Sequence, residues 1–157
     1  MKNKEIQLND IWNDEKRKSL SEFILSNSER QTKERKIRNE LLSIKFQIED
    51  YIESDNSSVK LQVLDFVKLY LKTFNVTQRK LADLFEMQDS NLYKYLRGER
   101  KLNSNLVLKL SSFSHISPEY WLRIEVKNEL IEINNEIKKN KDYKKYDYRN
   151  LLVKSED

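Results

Sequence analysis

Three observations predict an all-α fold. The 157 residues include one glycine and one proline, too little turn chemistry to connect the strands of a sheet. Apolar residues recur three and four apart over most of the chain, the period of a helix face. The stretch Thr77 to Gly98, TQRKLADLFEMQDSNLYKYLRG, carries the pattern of two short helices crossing at a steep angle over a tight connection.

Residues 1–55 read as a helical extension. The first part is polar with scattered apolar residues, among them Ile6, Leu8, Ile11 and Trp12, and a short helix is predicted over Ser19 to Leu25. Trp12 has no core of its own, so it either docks on the main domain or waits for a partner. From Ser28, a cap by residue type, one long helix is predicted to Ser54. Ile37, Leu41, Ile44, Ile48 and Tyr51 along it are spaced 4, 3, 4 and 3, with Leu42 and Ile52 widening the stripe. This face fits a partner protein or a second copy of the chain, the alternative being the chain's own domain. Asp55-Asn56-Ser57-Ser58 breaks the period and marks a linker.

A domain of five helices is predicted over residues 58–140. Its first helix runs from Ser58 to Thr73 with Val59, Val63, Phe66, Val67, Tyr70 and Leu71 inward. Thr77 caps the second, Gln78 to Phe85, on which Leu81 and the small Ala82 face the third. Glu86-Met87-Gln88 forms the connection, with Met87 filling the corner. Gln88 or Asp89 caps the third helix, which ends at Gly98, where the backbone needs a positive φ. Glu99-Arg100-Lys101 lead to a fourth helix, Ser104 to Phe113, capped by Asn103 with Leu106, Leu110 and Phe113 inward. Ser117 caps the last and longest, from Pro118 to about Lys139, where the proline's missing N–H is harmless and Glu119 suits the helix dipole. Residues 141–157 form a tail alternating basic and tyrosine side chains, read as partly ordered.

The residues from Gln78 to Gly98 resemble the lambda-repressor/Cro-like (XRE) helix-turn-helix family. Gln78, Leu81, Ala82, Leu92, Tyr95, Leu96 and Gly98 carry the likeness. Glu86 departs from it, standing where the family has a turn glycine, so a left-handed backbone there costs roughly 1 kcal/mol. The entry Ser117, Pro118, Glu119, Tyr120, Trp121, Leu122 makes the chain similar to the HigA-type antitoxin branch of type II toxin–antitoxin systems. Resemblance extends from about Val59 to Ile133. It implies a five-helix lambda-repressor-like domain whose last helix helps form a homodimer.

Charge agrees with a nucleic-acid partner. Residues 58–117 hold 10 basic and 5 acidic side chains, whereas the two flanking regions are close to balanced. A cationic domain attracts phosphates and speeds association with DNA. By position, Gln88, Asp89, Ser90, Asn91, Tyr93 and Lys94 match the family's base-reading residues. Gln88 or Asn91 can pair with adenine and Lys94 with guanine or a phosphate, while Tyr93 can pack on a thymine methyl. Asp89 either caps the helix or accepts from a cytosine amino group. Gln78, Arg79, Arg97, Arg100 and Lys101 are the candidate phosphate contacts. One reading helix covers few base pairs, so a two-fold dimer on a palindromic double-stranded operator is expected.

The expected function is therefore a sequence-specific transcriptional repressor acting as a HigA-like antitoxin that autoregulates its operon. By the resemblance, a RelE/HigB-like ribonuclease is its toxin. A stand-alone XRE-family regulator, or a protein-interaction adaptor that has lost DNA binding, are the alternatives. No enzyme, cofactor or metal site is expected. The chain has no cysteine, a single histidine, His115, and no glycine-rich phosphate loop or nucleophile with a matching base. With no long apolar run and no leader pattern, the sequence is expected to be cytoplasmic and not membrane-bound.

Overall fold

A computed structural model describes residues 14–55 and 59–153; Trp12 and the rest of 1–13, residues 56–58 and the last four residues lie outside that range. The described residues form α1 (Asp14–Glu53), α2 (Val63–Phe74), α3 (Gln78–Leu84), α4 (Asp89–Leu96), α5 (Ser104–Ser114), α6 (Pro118–Lys139) and α7 (Arg149–Val153). A short 3-10 segment, Asp142–Tyr146, precedes α7. Among these residues no strand occurs, and no helix is long and apolar enough to cross a membrane.

Two compact units divide the chain, Met1–Glu40 and Leu41–Asp157. The division falls inside α1, whereas the sequence places it at 55–58. In the first unit the described residues are helical and all exposed. The expected break between a short helix and one capped by Ser28 does not occur. Ser26, Asn27 and Ser28 each cost only a few tenths of a kcal/mol in a helix, too little to end one without glycine or proline. Ser28 sits mid-helix, where its carbonyl accepts from Thr32 Oγ1 at 2.8 Å.

The second unit has its own core. Ile44, Ile48 and Tyr51 on the last turns of α1 are buried together with Val63, Phe66, Val67 and Tyr70 of α2. Over this stretch the apolar stripe of α1 is spent on the chain's own domain. Phe113 lies edge-on to Tyr70, Phe74 and Phe85 at centroid distances of 5.9, 5.7 and 5.9 Å, and Trp121 lies 6.1 Å from Tyr70. Rings so arranged contribute about 0.5–1.5 kcal/mol per pair beyond their burial. Trp121 donates its Nε1–H to Ser114 Oγ at 3.2 Å, which ties the start of α6 to the end of α5.

α2 begins at Val63, not at Ser58, and Val59 is exposed. The backbone of Leu61 explains this, because its polar groups are satisfied outside a helix. Its N–H donates to Tyr51 Oη at 3.1 Å and its carbonyl accepts from Asn128 Nδ2 at 2.8 Å. The Gln62 N–H then donates to the Asp65 carboxylate at 2.8 Å, closing the first turn of α2.

Candidate nucleic-acid interface

The corner between α3 and α4 is set by backbone geometry. Thr77 Oγ1 accepts from the Lys80 N–H at 3.3 Å and starts α3. At its other end Glu86 adopts φ 55°, so that the Glu86 and Met87 amides donate to the Asp83 and Ala82 carbonyls at 3.1 and 2.9 Å. That is the double-bonded helix stop in which glycine is preferred, here made by glutamate. Leu81, Ala82, Phe85, Leu92 and Leu96 are buried, and Met87 packs against them in the corner.

Burying Leu92 and Leu96 turns the opposite side of α4 outward. Gln88, Asp89, Ser90, Tyr93 and Lys94 are exposed and Asn91 is half-buried. Gln88 occupies the N-cap position, but neither it nor Asp89 caps α4 through a side chain. Asp89 instead accepts from Gln78 Nε2 at 2.8 Å, across the corner. No signal within α4 alone indicated this pairing. It follows from two polar residues, each at the first turn of one of two crossing helices.

Gly98 ends α4 with φ 87°, and its amide and that of Glu99 donate to the Tyr95 and Lys94 carbonyls at 3.1 and 2.9 Å. The following loop is pinned where the Leu102 N–H donates to Glu125 Oε2 at 2.8 Å. Asn103 Oδ1 accepts from the Leu106 N–H at 2.8 Å and opens α5.

A cationic rim surrounds the row. Arg97, Arg100 and Lys101 are exposed beyond α4, and Arg79 is exposed on the first turn of α3 beside the half-buried Gln78. Arg97 lies over the ring of Tyr93 and Arg100 over that of Tyr95, each 5.8 Å from the centroid. These contacts orient the guanidinium planes without neutralising them. Arg97 also pairs with Glu99 at 3.5 Å and Lys101 with Glu129 at 3.4 Å. Exposed pairs of this kind are worth about 0–1 kcal/mol, so a phosphate can displace either carboxylate.

His115 lies far along the chain from this row and ends α5 at φ 59°. Among the described residues no group of three or more His, Asp or Glu side chains could hold a metal ion.

No protein-family model, no curated protein and no solved structure matches the chain. The arrangement defines an all-α protein that presents a polar, cation-rimmed helix face.

Proposed function

We propose that this protein is a sequence-specific DNA-binding repressor in which α3 and α4 act as a helix-turn-helix and α4 enters the major groove. The single observation that carries this reading is the row Gln88, Asp89, Ser90, Asn91, Tyr93 and Lys94, turned outward by the burial of Leu92 and Leu96. A helix in the major groove presents such side chains to base edges, while surrounding cations meet the two phosphate backbones. Gln78, Arg79, Arg97, Arg100 and Lys101 are the phosphate contacts in this reading.

A two-fold dimer on a palindromic operator belongs to the same proposal. On α6 the residues Leu122, Val126, Leu130, Ile133 and Ile137 form an exposed row spaced 4, 4, 3 and 4, opposite the buried Trp121, Ile124 and Ile131. A groove of about 580 Å³ lies along it, lined in part by Ile52, Leu122, Val126 and Leu130. Such a face supports pairing with a second copy. The antitoxin role, with a RelE/HigB-like toxin as partner, rests on the resemblance of Val59 to Ile133 to the HigA-type proteins. A stand-alone regulator differs from it only in lacking that partner.

Retardation of duplex DNA from the protein's own promoter, measured across a salt series, tests the reading. Affinity should fall steeply with salt, by about 0.9 logarithmic unit per phosphate contact and decade of salt. Lys94→Ala should weaken sequence preference, and Arg100→Ala should weaken binding to all sequences. Absence of binding at low salt would reject the proposal. The interaction adaptor is then the remaining reading, favoured by the exposed Leu20, Phe23, Ile24 and Leu25 on α1.

A further inference from the structure

Resting on the DNA-binding reading, we infer that Asp89, oriented by Gln78, selects a cytosine in each half-site. A carboxylate at the start of a reading helix is repelled by the phosphate backbone, and one explanation is that it caps the helix. Here the N-cap position belongs to Gln88, and the Asp89 carboxylate is engaged by Gln78 of α3 instead. Gln78 Nε2 donates to Asp89 Oδ1 at 2.8 Å, which holds one carboxylate oxygen against α3. The second oxygen of this exposed side chain is left as an acceptor.

An acceptor-only group in the major groove needs a donor. Guanine and thymine offer it N7, O6 or O4, all of which repel a carboxylate. Adenine offers its N6 amino group, but the neighbouring N7 lone pair faces the same anion. Cytosine offers N4–H₂ beside a C5–H, so only the paired guanine O6 opposes the anion where adenine N6 is flanked by both N7 and thymine O4, and cytosine is the favoured base. Gln78 keeps a second N–H for a phosphate, so it couples backbone position to the orientation of Asp89.

Selection from a randomised duplex pool with the full-length chain tests this. Wild-type sites should carry a cytosine at one position of each half-site, and replacing it by any other base should weaken binding by roughly 5- to 150-fold. Asp89→Asn should move the preference at that position alone to adenine, which an amide can pair bidentately. Gln78→Ala should flatten the preference at that position while leaving the other positions unchanged, an effect that a general loss of structure would not produce. Identical selected sites for wild type and Asp89→Asn would overturn the inference while leaving the DNA-binding reading intact. Failure of the wild type to enrich any sequence at low salt would overturn both.

Discussion

Tyr51 and Asn128, 77 residues apart, are joined inside the second unit by a hydrogen bond from the tyrosine hydroxyl to Asn128 Oδ1. Leu61 completes the ring, donating its N–H to Tyr51 Oη and accepting from Asn128 Nδ2. Lys127 caps the end of α1 beside it, donating to the carbonyls of Tyr51 and Ser54, the latter at 2.6 Å, with its ammonium 4.5 Å from the Tyr51 ring centroid. The last turns of α1 are thereby fastened to α6 by polar bonds in addition to apolar packing.

Breaking this ring strands buried groups. Asn128→Ala leaves the Leu61 carbonyl without its donor and the Tyr51 O–H without its acceptor, although Tyr51 Oη still accepts from the Leu61 N–H, so stability should fall by about 1–3 kcal/mol. Tyr51→Phe should cost a similar amount, and the double variant less than the sum. A double-mutant cycle from urea unfolding should give a coupling of about 0.5–3 kcal/mol. Strict additivity would show that the bond contributes nothing.

Tyr70 is the opposite case. Its side chain is 0% exposed and its hydroxyl has no hydrogen-bond partner. Burial pushes its pKa from 10.0 up to about 12. The unfolded chain thus releases this proton near pH 10 and the folded chain only near 12. Between those values the unfolded state binds fewer protons, and stability falls as pH rises, by at most roughly 2–3 kcal/mol at about 1.4 kcal/mol per pH unit. Tyr70→Phe should leave stability at pH 7 unchanged or raise it by about 1 kcal/mol, and should remove this alkaline loss. Unfolding midpoints at pH 7 and pH 11 for both proteins decide it.

Much of this architecture could be read in the chain beforehand, for physical reasons. Thr77, Asn103 and Gly98 act locally, through a cap or a positive φ, so their roles are visible in a few neighbouring residues. The buried faces of α2 to α5 follow from period alone. The start of α2 did not, because Leu61 is held by Tyr51 and Asn128, one before and one far after it in sequence. Nor did the continuity of α1 through Ser28, where three cap-type residues look like a boundary but lack the energy to make one. At the candidate interface the exposed row on α4 followed from the burial of Leu92 and Leu96. The bond between Gln78 and Asp89 needed the crossing of two helices.

The two helix stops flanking α4 should respond in opposite directions. Glu86 is a non-glycine residue at φ 55°. Glu86→Gly should therefore stabilise the protein by about 1 kcal/mol. Gly98 has φ 87°, and a Cβ there would lie 2.8 Å from Gln62 Oε1. Gly98→Ala should destabilise by about 1–2 kcal/mol through backbone strain and this contact together. Adding Gln62→Ala should recover only the steric part. Chemical denaturation of the wild type and these three variants measures the difference, and a neutral Gly98→Ala would contradict the assigned backbone.

The outward row of α6 gives the dimer proposal a direct test. Val126 and Ile133 lie near its middle and are 52% and 45% exposed, so they contribute little to the fold of one chain. Aspartate at either position should leave monomer stability within about 0.5 kcal/mol, as expected for a surface substitution. In a dimer the same charge would be buried against its own copy at the symmetry axis, where unpaired burial costs several kcal/mol. Val126→Asp should therefore halve the mass in sedimentation while preserving the helical circular dichroism signal. On DNA it should remove the advantage of two half-sites over one and leave the weak binding of a single half-site. Unchanged mass in both Val126→Asp and Ile133→Asp would move the interface away from this face, because both positions lie within its exposed apolar row.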